Sequence, residues 1–374
     1  MKMVGYAYVG MPCHIEGLRK LQFVAGEKFA ENVELTIGLF CRENWVFSCF
    51  RALIEDDYGV SMQEVKKFDI KKGNIIAHKK DGSKVEIPLP NSRPFVRINC
   101  KVCFDFAAEL ADLSVGAIGS PAKWSTVIVR TEKGREFLSG AEKEGYIEVK
   151  PIEEVKPGVK LIKKIAREKI DEAREEVEKR AEYGFDIKHY KTYGMSIDEI
   201  KALAKDKNFD DLIDEVIDAG ACTSCGACSA ICPENILEIE YERPEVKGTC
   251  PEDCNLCYLA CPRVSLPKEE IEKRIFSEGM EYEEELGKFL EIFAVRAKDE
   301  NILEKAQDGG AVTAILSYAL DKGLIKGVVS MKSEEWRPKA TVSKSKEELL
   351  ATAGTIYSSG TSLPLLRRIA HEGD

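Results

Sequence analysis

Apolar positions along this chain fall into short runs bounded by turn residues, with one long amphipathic stripe between them. Val4 to Val9 is the first run, closed by Gly10-Met11-Pro12-Cys13; it predicts a buried strand, a turn and a helix with Cys13 at its mouth. Val33 to Phe40 predicts a second strand ending at Cys41, followed by a helix from about Trp45 to Asp57. Cys residues at the C-terminal ends of two strands stand where open α/β sheets place ligands. Phe68 to Leu89 reads as antiparallel structure turning at Asp81-Gly82, and Thr126 to Arg130 as a further strand. Pro157 to Gly184 is highly charged but carries Leu161, Ile162, Ile165, Ile170 and Val177 along one stripe, the pattern of a solvated helix packed on one face. Phe185 to Gly194 loses that period and is expected to be an exposed linker. Ser196-x-x-Glu199 is a capping box that opens a new helix. After Pro262, acidic helical residues run to about Glu285. A strand at Ile292 to Ala297, an apolar helix at Ala311 to Leu320, a strand at Gly327 to Met331 and a helix at Leu363 to Ala370 complete the pattern.

The densest chemistry lies between Cys222 and Pro262. The chain reads Cys222-x2-Cys225-x2-Cys228-x3-Cys232-Pro233, then Cys250-x3-Cys254-x2-Cys257-x3-Cys261-Pro262. Three close thiols and a fourth before proline, written twice, form the ligand pattern of a two-cluster bacterial-type ferredoxin, in which the fourth Cys of each run serves the other cluster. On that pattern Cys222, Cys225, Cys228 and Cys261 hold one [4Fe–4S] cluster, and Cys250, Cys254, Cys257 and Cys232 hold the second. A disulfide knot fits poorly with a chain lacking an export signal, and zinc ribbons use paired rather than tripled Cys. Cys13, Cys41, Cys100 and Cys103 are more scattered, and only the Cys100/Cys103 pair has metal-ligand spacing. By spacing alone they are a third cluster site, a zinc site or unrelated core residues. Cys49, inside an apolar helix, reads as core.

Gln307-Asp308-Gly309-Gly310-Ala311-Val312-Thr313 sets two glycines at a helix N-terminus, where free N–H groups suit an anion such as a pyrophosphate; Gly-Gly is more often only a turn. Ala353-Gly354-Thr355-Ile356-Tyr357-Ser358-Ser359-Gly360 is a second small-residue loop of the same kind. His14, His78, His189 and His371 are scattered and read as surface or core residues before any catalytic role.

Composition narrows the class. The 374 residues suffice for two or three domains, and 44% hydrophobic with 32% charged residues describes a globular chain. A net charge of −10 argues against nucleic acid and anionic membranes as partners. No apolar run approaches a bilayer span, and Met1 to His14 lacks the features of a signal peptide. Thirteen Cys in such a chain point to a reducing compartment, so the expected location is the cytoplasm.

Several stretches together carry a family resemblance. Val9-Gly10-Met11-Pro12-Cys13, Gly38-Leu39-Phe40-Cys41-Arg42-Glu43-Asn44, Gly119-Ser120-Pro121 with Trp124-Ser125-Thr126, Gln307 to Thr313, and Ala353-Gly354-Thr355 resemble the beta subunit of coenzyme F420-reducing hydrogenase. They equally resemble the F420-oxidising input subunit of archaeal respiratory complexes, which also carries a two-cluster ferredoxin segment. The order differs: residues 195–374 are similar to the family's first half and residues 1–194 to its second. That implies a circular permutation or a chain assembled from two segments, with Met1 and Asp374 expected within about 15 Å of each other.

The resemblance implies an α/β fold: a flavin-binding α/β domain built from both chain halves, with an inserted two-[4Fe–4S] ferredoxin-like α+β domain. The divisions are 1–155 (C-terminal-type domain with its own cluster), 156–194 (charged helix and linker), 195–275 (ferredoxin-like) and 276–374 (N-terminal-type). It implies an FAD between the halves, with Gln307, Asp308, Gly309, Gly310, Thr313, Gly354, Thr355 and Tyr357 as flavin contacts and coenzyme F420 as substrate on the flavin face. It also makes Cys13, Cys41, Cys100 and Cys103 the ligands of a third [4Fe–4S] cluster. The implied activity is F420-dependent oxidoreduction, electrons passing between F420 and a partner subunit of a hydrogenase, formate dehydrogenase, heterodisulfide reductase or respiratory complex. No side-chain acid or base is assigned. Ile356 stands where relatives often have Lys, Ala122-Lys123 replaces Asp-Gly, and His14 follows Cys13 where Gln is usual. Those departures leave two alternatives: a ferredoxin-dependent reductase of another substrate, or a non-catalytic relay subunit.

Overall fold

The computed structural model describes residues 5–371. Its centre is an eight-stranded sheet. In chain order the strands are β1 (Tyr6–Gly10), β2 (Val33–Leu39), β3 (Leu113–Gly116), β4 (Ser125–Val129), β5 (Ile147–Pro151), β6 (Glu291–Ala297), β7 (Gly327–Glu334) and β8 (Arg337–Ser343). In space they run β8-β7-β1-β2-β3-β4-β6-β5. The middle four, β7-β1-β2-β3, are parallel, and the flanking pairs are antiparallel. Neither half of the chain makes this sheet alone: β6 lies between β4 and β5, and β7 pairs with β1 through Tyr6↔Gly327 and Tyr8↔Val329.

Side-chain alternation along β1 supplies two layers. Tyr6 and Tyr8 face one side and pack with Ile15 and Leu18 of the helix Pro12–Lys20 and Leu363 and Leu366 of the helix Leu363–His371. Ala7 and Val9 face the other, against Leu138 of the helix Glu132–Lys143 and Ala311, Ala314 and Ile315 of the helix Ala311–Asp321. Short strands Val65–Lys71, Asn74–Lys79 and Lys84–Pro88 form the expected antiparallel meander, packed on Trp45 and Phe50. The Cys-rich segment folds as two short helices, Ala227–Ile231 and Leu256–Ala260, with the hairpin Leu237–Glu240 and Arg243–Val246. Among the described residues, no helix is long and apolar enough to cross a membrane.

The structure departs from expectation in three places. Phe185 to Gly194 is not a loose linker: Phe185 is exposed, but Ile187, His189 and Thr192 are buried, and His189 to Thr192 makes a 3-10 turn. Ile187 and Tyr190 supply enough apolar surface to join the core around Val102, Val177 and Val264. The acidic run before Glu285 is helical only over Lys268–Ile275. It then becomes a small hairpin, Tyr282–Glu283 with Gly287–Lys288, bent where Gly287 takes φ +68°. Buried Arg130 clamps that hairpin, donating to the carbonyls of Leu286 and Lys288 at 2.7 Å each. Cys49 is half-buried on the helix Phe47–Ala52 rather than in the core. The expected approach of Met1 to Asp374 lies outside the described residues.

Candidate metal and cofactor centre

The first thiol group is shaped by a turn. Ser224 and Gly226 take φ +57° and +85°, curling the backbone so that the N–H groups of Ser224 and Ala227 serve the sulfurs of Cys222 and Cys225. Cys261, after the second short helix, joins Cys222, Cys225 and Cys228 around one cavity walled by Leu212, Val216, Ile217, Ile239 and Pro244. Burial pushes the Cys225 thiol up to about 11 and the Cys261 thiol up to about 12; it raises Cys228 as well, with Cys222, Cys225 and Cys261 adding to the push. Buried thiols in mutual repulsion become ligands only when a cation offsets their charge, so this donor set fits an iron cluster.

Cys232, Cys250, Cys254 and Cys257 form the second group. Cys250 is raised by burial, then by Cys254 and Cys232; Cys257 is pushed to about 12 by burial, then by Cys254 and Cys250. Cys250 and Cys254 are only half-buried and flank the exposed Pro251, Glu252 and Asp253.

The third group comes from three distant elements. Cys13 sits in the first turn of the helix Pro12–Lys20, Cys41 lies two residues past the end of β2, and Cys100 lies within, and Cys103 just after, the 3-10 turn Ile98–Val102. Cys13 is raised by burial and, among other neighbours, by Cys103 and Cys41; Cys41 is pushed to about 12 by burial, against Lys169 and with Cys100 and Cys103. Lys169, from the long helix Val159–Glu182, is buried and donates to the carbonyls of Cys41 and Asp105 at 2.6 Å each. A lysine in a charged helix looked like surface in the sequence; its place against apolar Ile162, Ala166 and Ile170 was the available signal. Among the described residues, no three His, Cys, Asp or Glu side chains are placed to hold a single metal ion.

The first and third groups are neighbours. Gly17, one turn after Cys13, packs so closely on the Cys-rich loop that a Cβ there would lie 3.2 Å from Cys225 Sγ and 2.8 Å from Leu363 Cδ1. Arg263 spans the same gap. Its backbone N–H serves Cys261, while its buried guanidinium donates to His189 Nε2 at 2.7 Å and pairs with Glu16 at 3.5 Å.

The residues with expected flavin roles divide into two sets. Gln307, Asp308 and Tyr357 come together. Gln307 Nε2 donates to Asp69 Oδ1 at 2.7 Å and to Phe68 O at 3.0 Å, and Lys67 Nζ donates to Gln307 O at 2.8 Å. Burial and then Asp69 raise the Tyr357 hydroxyl, with Asp308 adding to it; burial likewise raises the Asp308 carboxyl, against Lys67. The Tyr357 ring lies edge-on to Trp45 at 5.8 Å. Gly309, Gly310 and Thr313 are closely packed. A Cβ on Gly309 would lie 2.4 Å from Ser125 N, and Gly310 takes φ +70° with Ile302 Cγ2 at 2.7 Å from its Cβ position. Thr313 is buried within its helix, and Gly354 and Thr355 are exposed. Ser330 of β7 and Ser359 of the small-residue loop are buried with unpartnered hydroxyls, groups that a polar ligand would satisfy; the loop drew attention to Ser359 in the sequence, and Ser330, in an ordinary strand, gave no signal.

Comparison with known proteins places these elements. Residues 3–155 match the C-terminal domain, and residues 292–367 the N-terminal domain, of the family described as the coenzyme F420 hydrogenase/dehydrogenase beta subunit. Residues 215–238 match "4Fe-4S binding domain". The Coenzyme F420 hydrogenase subunit beta of Methanosarcina barkeri is 38% identical over 177 residues, covering 47% of this chain and 61% of that protein. The Coenzyme F420-dependent sulfite reductase of Methanocaldococcus jannaschii is 36% identical over 201 residues, 50% of this chain and 30% of that protein. A chain of the solved F420-reducing [NiFe] hydrogenase complex from Methanosarcina barkeri is 37% identical, with TM-score 0.46, covering 48% of this chain and 62% of that one. The chain spans 61% to 64% of the length of the F420 hydrogenase beta subunits it matches. With both matched domains present, the C-terminal one first, and a 4Fe-4S segment between them, the chain belongs to the coenzyme F420 hydrogenase/dehydrogenase beta subunit family in permuted order.

Proposed function

We propose that this chain is an F420-dependent iron–sulfur flavoprotein subunit that moves electrons between coenzyme F420 and a partner oxidoreductase subunit. The carrying observation is the close packing of the helix that bears Cys13 on the loop that bears Cys225, with Gly17 at the contact. It sets two thiol groups side by side across the two halves of the chain. In this reading Cys13, Cys41, Cys100 and Cys103 hold one [4Fe–4S] cluster. Cys222, Cys225, Cys228 and Cys261 hold a second, and Cys232, Cys250, Cys254 and Cys257 hold a third. Gln307, Asp308, Tyr357, Ser330 and Ser359 line the side of an FAD. A bound flavin supplies hydride exchange with F420 and single-electron exchange with the clusters. The chain's own residues position and shield. Lys169 and Arg263 bring buried positive charge to the thiols, and the apolar walls around Cys222 to Cys228 keep water away. Exposed Pro251, Glu252 and Asp253, between Cys250 and Cys254, put the group of Cys232, Cys250, Cys254 and Cys257 beside the surface, the side open to a partner.

A second reading, reduction of another substrate on the same scaffold, draws on the similarity to an F420-dependent sulfite reductase and on the departure at His14. His14 is buried, its Nε2 has no hydrogen-bond partner, and burial and then Arg97 push it down to about 4. Anaerobic mixing of the purified chain with reduced F420 separates the readings: prompt flavin bleaching is expected, and a flavin that stays oxidised overturns the F420 assignment.

A further inference from the structure

The meander Val65–Lys71, Asn74–Lys79, Lys84–Pro88 is a basic segment in an acidic protein. Between Val65 and Pro88 it carries seven Lys against three acids, while the whole chain has net charge −10. Its register sorts these charges. Lys67↔His78, Asp69↔Ile76, Lys71↔Asn74, His78↔Lys84 and Ile76↔Glu86 are cross-strand partners, so Lys67, Asp69, Lys71, His78, Lys84 and Glu86 share one face. Phe68, Ile75, Ala77 and Ile87 occupy the other and form the core. At the centre of the polar face, buried Asp69 is approached by a histidine and two lysines: His78 Nε2 at 2.9 Å, Lys67 Nζ at 3.3 Å and Lys71 Nζ at 3.4 Å. Glu86, the second acid of the face, accepts from Asn74 Nδ2 at 3.4 Å. Two carboxylates of this face stand against Lys67, Lys71 and Lys84, and Asp308 of the adjoining edge also lies against Lys67 and Lys71, so the positive balance rests on the segment as a whole, seven Lys against three acids. Asp69 also binds Gln307, so this face adjoins the edge where Gln307, Asp308 and Tyr357 meet.

We infer that the polar face of this meander docks the anionic tail of the substrate, through Lys71 and Lys84 at its solvent side. The inference rests on the F420 reading, since F420 carries its deazaflavin on a phosphodiester and oligoglutamate tail. An acidic chain repels such a ligand at long range, and a local basic face beside the site reverses that field where the tail arrives. A resident flavin carries phosphates too, but it is bound once, whereas a substrate exchanges every turnover. The exposed side chains of Lys71 and Lys84 suit the exchanging ligand, and the half-buried Lys67, engaged on Gln307 O, does not.

The test compares binding of F420 and of the same deazaflavin without its tail to the anaerobic holoprotein. It is read by emission of Trp45 and Trp336, both packed around the meander. In the wild type the tail is expected to strengthen binding about tenfold at low salt, and the gap is expected to close at high salt. Lys71→Gln/Lys84→Gln should close it at low salt as well, raising KM with kcat and flavin content unchanged. Single-residue variants guard against misfolding of the pair. Equal binding of the two deazaflavins by the wild type, a gap kept by the double variant, or loss of flavin from it overturns the inference. If neither deazaflavin binds, the F420 reading fails instead, and a free oligoglutamate peptide decides. Salt-sensitive quenching in the wild type and none in the variant keeps the anion-docking face; no quenching in either removes it.

Discussion

Gly17→Val tests the contact on which the proposed electron path depends. Gly17 is an ordinary right-handed helical residue, so a side chain brings no backbone strain and recovers about 0.5 kcal/mol of helix propensity for Val, or about 1 for Ala. Against that stands the space. The new Cβ would lie 2.8 Å from Leu363 Cδ1 and 3.2 Å from Cys225 Sγ, both on buried residues. Leu363 opens a helix that packs against the Cys-rich segment, where Arg367 also donates to the Cys232 carbonyl, so it has little freedom to withdraw. Overpacking of this kind costs roughly 1–3 kcal/mol. Gly17→Ala should therefore fall between neutral and a loss of about 2 kcal/mol, and Gly17→Val should lose about 0.5–2.5 and displace Cys225 from its partners. Iron per chain, electron paramagnetic resonance of the reduced protein and urea unfolding read the two effects separately. Gly17→Val should lose about four of an expected twelve irons, with the signal of the Cys13 group retained. A Val variant with wild-type iron and an unchanged urea midpoint would refute the claim that this helix presses on a cluster ligand.

Four further outcomes follow from individual contacts. Cys100→Ala should remove about a third of the iron and spare the signals of the ferredoxin-type pair; unchanged iron would mean that the scattered thiols hold nothing. Lys169→Met should cost about 2–5 kcal/mol in urea unfolding, because the Cys41 and Asp105 carbonyls lose a charged donor in a buried place; a cost below about 1 would show that relief of the buried charge cancels those bonds. Arg130→Met should free the Tyr282–Lys288 hairpin from the sheet and speed its hydrogen exchange, with exchange in the meander as the internal control. Against the upward push of burial, Lys67 and Lys71 hold the Asp69 carboxyl below its usual 3.8, so its contribution is present above that pH and lost as pH falls through the lower folded value; acid unfolding of Asp69→Asn should lose that part of the slope.

Legibility in the sequence followed the range of each interaction. The 4Fe-4S motif could be read because thiols on one loop have local spacing, and the strands because burial imposes a short period. Cys13, Cys41, Cys100 and Cys103 could not be joined by spacing, since what joins them is the parallel pairing of β1 with β2 and the turn before β3. Lys169 and Arg263 were illegible for a related reason. A charged residue in a charged stretch has the same pattern whether it faces water or a buried thiol, and only the packing of other elements over it decides. The glycines at 309 and 310 show the reverse: the sequence offered a ligand-binding loop, and the sheet behind it supplies a sufficient steric reason. The hairpin at 282–288 hid behind its acidic composition, which suits a helix surface and a salt-bridged edge equally. There Glu284 and Glu285 pair with Arg167 of the long helix.

The reversed order of the two family domains has a structural rationale in the sheet. β6, β7 and β8 are not a separate layer placed beside β1 to β5: β6 is inserted between β4 and β5, and β7 continues the parallel core from β1. Hydrogen bonds such as those aligning Ala7 with Val328 are indifferent to which covalent path connects the strands, provided each strand reaches its place in register. What a reordered chain needs is a connection between the halves that does not disturb the sheet. Here that connection runs over the long helix and Phe185 to Gly194 and is itself absorbed into packing. Ile187 enters a core, and His189 receives the Arg263 guanidinium that also reaches Glu16 on the Cys13 helix. The segment that joins the halves thereby buttresses the contact between two thiol groups. A substitution such as His189→Ala should therefore be felt in the redox centres before it is felt in the sheet: iron signals of the Cys13 group should broaden or shift while the far-ultraviolet spectrum stays that of the wild type. An effect confined to global stability would assign this segment a tethering role alone.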